Sequence, residues 1–206
     1  MITIVDYSVN NLRSVQKAFE HLGHRTLVTS DPREVARARS LVLPGVGAFG
    51  AAMANLRLKR LAEPLVEAVS RGTPLLGVCL AMQLFFDWSE ELGLHSGLGL
   101  LPGKVEALAP APGLKIPHMG WSALSLPRPS RLFEGLSSGE MVYFVHSYRV
   151  RPDEPGCVAA TARHGAEFPA AIEAGNLFAC QFHPEKSSAA GLKILDNFAA
   201  VSPGGH

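Results

Sequence analysis

The sequence is poor in cysteine: Cys79, Cys157 and Cys180 are the only three, an odd number with no C-x-x-C spacing. That excludes a disulfide framework and a zinc cluster of ordinary ligand spacing, and it implies reduced thiols in a cytoplasmic setting. An excess of one charge sign is also absent. With 19 Lys and Arg against 18 Asp and Glu, the formal net charge is +1 and no basic block occurs, so nucleic acid is not an expected partner. Long hydrophobic runs are missing too, since the longest, Pro74 to Met82, is well short of the roughly 18 residues of a membrane helix. The opening MITIVDYSVN lacks the basic region of a signal peptide and reads as a first strand. Eight histidines show neither an H-E-x-x-H pair nor another metal-ligand spacing, so no metal and no other cofactor is expected.

What is present is a chain of 206 residues, 47% hydrophobic, with no repeats and no long linker, read as one domain over residues 1–206. Its first half alternates β-rich runs with helical periodicity, the pattern of a mostly parallel sheet covered by helices. Ile2 to Val5 is strand one. Asn11 is placed to cap a helix whose apolar face is Leu12, Val15, Phe19 and Leu22, with Gly23 ending it. RTLVT is strand two, Asp31-Pro32 opens a short helix through Val35, and SLVLP, ending at Pro44, is strand three. A helical region from Ala48 to Ser70 is expected to break near Pro64. TPLLGV is strand four, and LAMQLFF resumes helical periodicity. From about Gly97 the texture changes to KVEAL, GWSAL, MVYFVHSYRV, CVAATA, AAIEAG and NLFACQF, read as hairpins and antiparallel extensions. A last helix, Ala189 to Ala200, precedes a frayed SPGGH end.

Cys79 sits where strand four gives way to helix. Taken alone, a cysteine among apolar residues is a small core residue. At a strand-to-helix turn it is instead thrust from the sheet edge onto a helix N-terminus that favours thiolate, with Gly77 leaving room for the turn. The N–H of Leu80 is then a natural oxyanion donor. GVGAFG (Gly45 to Gly50) fits the dinucleotide pattern only loosely, because it follows a third strand and lacks the acid that should end the next one. Its PGVG turn offers unhindered backbone N–H groups to an oxyanion, and it is equally an ordinary tight turn. In QFHPEKS, His183 follows a strand and Glu185 can hold its ring by the second nitrogen. Cys157 and Cys180 read as core packing, and His21, His24, His118 and His164 as surface or loop residues. His146 interrupts an aromatic strand and is open to either a core or a pocket role.

The elbow G-V-C-L-A-M-Q with H-P-E resembles the class I, triad-type glutamine amidotransferases. DYSVNNLRSV, LPGVGAFG, PHMGW, YFVHSY and HPEKSS together are similar to one branch of that family, the glutaminase subunits of imidazole glycerol phosphate synthases, and the resemblance spans effectively the whole chain. It implies a three-layer αβα, flavodoxin-like fold and hydrolysis of glutamine to glutamate and ammonia. Cys79 is then the nucleophile, His183 the base and acid, and Glu185 its orienting partner. By the same resemblance Val46, Gly47 and Leu80 supply the oxyanion site, and Gln83, Glu91, Ser147 and Tyr148 hold the glutamine backbone groups. Ammonia passes to a (β/α)8 barrel cyclase subunit, towards which Asn10, Asn11, Trp121, Tyr143 and Lys186 are expected to face. Two departures stand out: Ala81 where the class has glycine, and DYSVNN where glycines are more usual. Other glutaminase subunits, a Cys-dependent hydrolase or chaperone-like protein of the same topology, and a silent binding module remain as competing readings.

Overall fold

A computed structural model of the chain describes residues 1–8, 11–111 and 113–201. Its first half runs β1 (Ile2–Val5), α1 (Leu12–His21), β2 (Thr26–Thr29), α2 (Pro32–Arg37), β3 (Leu41–Gly45), α3 (Phe49–Leu58), α4 (Ala62–Ser70), β4 (Leu75–Cys79) and α5 (Leu80–Leu84). Short strands then dominate: β5 (Phe86–Ser89), β6 (His95–Ser96), β7 (Leu101–Ala107), β8 (His118–Ala123), β9 (Met141–His146), β10 (Tyr148–Pro152), β11 (Val158–His164), β12 (Ala166–Ala174) and β13 (Leu177–Cys180). Helix α6 (Ser188–Ala200) is last.

The main sheet has the order β11-β12-β13-β4-β3-β1-β2. Its five strands from β13 to β2 are parallel, in the flavodoxin-like order in which the second strand lies outside the first. The edge strands β12 and β11 are antiparallel. Every residue of β1, β3, β4 and β13 is buried, which is why these strands read as continuous apolar runs rather than alternating ones. Two cores result. On one face Val15 and Phe19 of α1 and Ile194 and Phe198 of α6 meet Ile4, Val42, Leu76 and Phe178. On the other, Val35, Met53, Leu56 and Leu65 meet Val5, Leu43, Leu75 and Ala179. Helices therefore cover both faces, giving the expected three-layer αβα arrangement.

Several boundaries differ from expectation, each for a physical reason. Asn11 precedes α1 but makes no side-chain cap, because its amide is engaged elsewhere. Gly23, at φ 84°, does end that helix, with the N–H groups of Gly23 and His24 closing on Glu20 and Phe19 carbonyls. Asp31 caps α2 through the Arg33 N–H at 2.8 Å, and the helix continues past Val35 to Arg37. The long helical region breaks at 59–61, where Arg60 takes φ 55°. Pro64 falls in the first turn of α4, where a missing N–H is harmless. The helix after Cys79 stops at Leu84, and Phe86 opens a strand that the sequence reading did not foresee, as β6 was not. MVYFVHSYRV is two strands rather than one: β9 pairs β8 in a separate ribbon, and β10 joins the β10-β7-β5-β6 sheet. The chain changes sheets at Ser147. The SPGGH tail lies outside the described residues.

Candidate active site

Cys79 ends β4 and caps α5 with φ 56° and ψ −112°, a backbone state that L residues avoid at a cost of about 1–3 kcal/mol. β4 is paired in parallel on both sides up to Val78, and Cys79 itself pairs with Gly45 of β3. The same register sets Gly45 of the PGVG turn directly beside Cys79, so the two motifs meet. Only glycine fits there, because a Cβ on Gly45 would come within 2.7 Å of the Ala81 nitrogen and 2.9 Å of the Tyr7 hydroxyl. Gly77 does a similar service, since a Cβ on it would stand 2.7 Å from Phe85. Ala81 is wholly buried in α5, and the elbow accommodates its methyl within a regular helix. At five residues, α5 carries only a small macrodipole.

β13 is the next parallel strand, and three residues beyond its end His183 returns towards Cys79. The turn is pinned: the His183 N–H donates to the Tyr143 carbonyl at 2.9 Å, and Ser187 Oγ donates to the His183 carbonyl at 2.6 Å. Gly191 lets α6 lie against this turn, because a Cβ there would meet the Pro184 carbonyl oxygen at 1.9 Å. His183 Nδ1 lies 2.8 Å from Glu185 Oε1, with both side chains essentially inaccessible. The Nε2 atom is buried with no hydrogen-bond partner among the described residues, while Cys79 is close enough to act on the ring. Burial pulls the imidazole towards neutrality, but Cys79 and Glu185 outweigh it and raise its pKa to about 9. Burial likewise pushes the Glu185 carboxyl up, and its hydrogen bond and attraction to His183 bring it below its ordinary range. The pair is therefore ionised at neutral pH.

A cavity of about 320 Å³ opens beside the thiol. Cys79, His183, Val46, Gly47, Leu80, Gln83, Glu91, Ser147 and Tyr148 all line it, so the expected oxyanion and glutamine-contacting residues converge with two members of the expected triad. Gly47 has φ 100°, open to glycine without strain. Gln83 is committed on its donor side, giving its amide protons to the Tyr148 carbonyl at 3.2 Å and Gln181 Oε1 at 2.9 Å. One oxygen of Glu91 accepts the Phe49 N–H at 2.6 Å.

The remaining expected residues that are described do not line the cavity. Trp121 is 48% exposed and meets Tyr143 edge to face across the β8–β9 ribbon at 6.0 Å. Met119 and Met141 are exposed on the same ribbon, and Lys186 is exposed on the turn after Glu185. Asn10 lies outside the described residues. Asn11, expected at the partner surface, is half-buried and donates its amide to Glu185.

Sequence reasoning missed a buried relay. His118, expected at the surface, is 4% exposed. Its Nδ1 lies 3.0 Å from Nε2 of His146, whose Nδ1 is 2.8 Å from the Tyr148 carbonyl. A carbonyl only accepts, so His146 donates from Nδ1, receives at Nε2 from His118, and His118 Nε2 receives the Ser122 hydroxyl at 2.9 Å. Burial holds both rings at a pKa of about 4. Gln181, 3.9 Å from Cys79 Sγ, was also passed over; a glutamine breaking an apolar strand one residue before FHPE was its only signal. His24 is not a bare surface residue either, since it pairs with Asp196 at 2.9 Å. Cys180 is in the core as expected, whereas Cys157 is only half-buried, in a 3-10 turn. Among the described residues no cluster of three His, Cys, Asp or Glu side chains could hold a metal. No helix there is long and apolar enough to cross a membrane.

Comparison with known proteins agrees with this geometry. The family model for glutamine amidotransferase class-I matches residues 3–201. The imidazole glycerol phosphate synthase subunit HisH of Moorella thermoacetica is 53% identical over 200 residues, covering 97% of this chain and 94% of its own. The subunit of the same name from Syntrophotalea carbinolica is 51% identical over 206 residues, covering 96% and 98%. In fold, the crystal structure of a glutamine amidotransferase gives a TM-score of 0.75 at 20% identity, covering 97% of this chain and 100% of that one. PurLQS from Thermotoga maritima gives 0.73 at 21%, covering 96% of each. A match that begins in the first strand and ends just past the last helix leaves one assignment: the chain belongs to the class-I glutamine amidotransferase family.

Proposed function

We propose that this chain is the glutaminase subunit of an imidazole glycerol phosphate synthase. The observation that carries the chemistry is a thiol on a strained elbow, beside an imidazole ion-paired at 2.8 Å to a buried carboxylate. Cys79 attacks the side-chain amide carbon of glutamine as thiolate, and backbone N–H groups from Leu80 and the Val46–Gly47 segment receive the oxyanion. His183, held protonated by Glu185, gives its proton to the departing ammonia and leaves a glutamyl thioester. The same ring, now neutral, takes a proton from water as the thioester opens to glutamate. Gln83, Glu91, Ser147 and Tyr148 line the cavity where the glutamine backbone groups must sit. The neutral His118–His146 relay supports that wall without competing for protons.

About 50% identity to proteins named as subunits of this synthase, over nearly the whole chain, supports this assignment. Released ammonia needs an acceptor, and the reading assigns it to a (β/α)8 barrel cyclase docked over Trp121, Tyr143, Lys186 and the β1–α1 segment. The exposed Met119, Trp121 and Met141 are the apolar surface such a partner would cover. A reorienting peptide at Val46–Gly47 would let cyclase ligand binding switch the oxyanion site, with glycine permitting the flip at least steric cost.

The test is glutamine-dependent synthesis by the complex with Cys79→Ala. Glutamine-driven turnover disappears while added ammonia still supports synthesis. Full glutaminase activity in the variant would sink the nucleophile assignment.

A further inference from the structure

The side chain of Asn11 crosses 174 positions of sequence to place Nδ2 2.6 Å from Glu185 Oε1. The same oxygen accepts from His183 Nδ1 at 2.8 Å. The other oxygen, Oε2, is buried without a hydrogen-bond partner among the described residues, and the Glu185 side chain is 0% exposed. One oxygen thus carries both donors, and rotation of the carboxylate would exchange a doubly satisfied atom for a bare one. Asn11 also gives up something to be there. It stands at the N-cap of α1 yet makes no cap, and its backbone is left-handed at φ 78°, a state that asparagine tolerates better than most side chains.

We propose that Asn11 is a positioning residue of the triad, its amide fixing the Glu185 carboxylate in the orientation that holds His183. This rests on the Cys79–His183–Glu185 reading above. The titratable groups around Glu185 are His183 on its own turn and Cys180 from β13, with Cys79 acting through His183. Cys180 is fully buried and its thiol is pushed well up by burial, then by Glu185. Among the described residues that leaves Asn11 and His183 as the side chains that hydrogen-bond the carboxylate. A donated hydrogen bond favours the charged carboxylate, so losing it moves the acid limb of activity to higher pH.

The experiment follows iodoacetamide alkylation of Cys79 against pH in the full chain, and glutamine hydrolysis by that chain with the cyclase. Wild type is compared with Asn11→Gly, Asn11→Asp and Glu185→Gln. Glycine keeps the left-handed backbone and deletes only the amide, whereas aspartate keeps the shape and turns the donor into an acceptor facing a carboxylate. The proposal expects Asn11→Gly to lower kcat about tenfold, the scale of one hydrogen bond to a charged group. KM stays within about twofold, and the acid limbs of hydrolysis and alkylation move up together. Asn11→Asp falls further. A purely structural role would lower the melting temperature and leave the pH profiles in place, which overturns the proposal. Asn11→Gly profiles that superimpose on wild type while those of Glu185→Gln do not overturn it as well. Should Glu185→Gln also match wild type, the triad reading itself falls and takes the proposal with it.

Discussion

His183 and His146 face the same cavity and are 1% and 6% exposed, yet their basicities move in opposite directions, to about 9 and about 4. Burial disfavours the imidazolium in both places. The partners differ: His183 has the Glu185 carboxylate and Cys79, whereas His146 has a backbone carbonyl and a second neutral imidazole. A buried histidine is therefore a proton carrier or an inert strut according to what its second nitrogen meets. One cavity holds both, the first beside the Cys79 thiol and the second in the wall.

The most severe way to break this contrast is to take the charge from the partner of His183. Glu185→Gln keeps a group that can accept from Nδ1 but not the carboxylate, and kcat for glutamine hydrolysis should fall by about 10³–10⁴-fold. Activity within tenfold of wild type would mean that orientation alone suffices. A smaller effect reads the two sites against each other as stability. His183, raised from 6.5 to about 9, adds stability that is fully present below about pH 6.5 and lost as pH rises through about 9, on the order of 3 kcal/mol. His118 and His146, lowered to about 4, act in the reverse window: their contribution is present above about pH 6.5 and lost as pH falls towards 4. Denaturant unfolding from pH 4 to 10 should show His183→Gln flattening the alkaline limb and His118→Phe flattening the acid limb. Exchange of those two signatures would contradict the assignment. The mildest change concerns the outer face of the β8–β9 ribbon, whose inner face carries His118. Trp121→Ser should alter unfolding free energy by only about 0.5 kcal/mol, as for a surface substitution, while weakening association with the cyclase. A loss of several kcal/mol would show that Trp121 belongs to the core.

The parallel half of the fold was legible because its signals are local. Apolar runs of four or five residues, Asp31-Pro32 and Gly23 each act within one turn of chain. The misjudged parts depend on distant partners. Phe86 leaves the helical pattern because β7 offers it a strand to pair with, and MVYFVHSYRV divides at Ser147 because its halves find different sheets. His118 looked like a loop residue because its partners, His146 and the stacked rings of Phe144 and His164, lie 26 to 46 positions away. Asn11 read as a helix cap for the same reason.

The sequence by itself determined which chemical groups exist and how each prefers to turn locally: a thiol at a strand-to-helix junction, an H-P-E turn after a strand, glycines after strand three. Tertiary structure decided their company. The parallel register sets Gly45 beside Cys79, β13 delivers His183 to the same edge, and a 2.6 Å contact from the first loop reaches Glu185. Proton affinity is governed by what lies within a few ångströms in space, and no spacing along the chain encodes that distance.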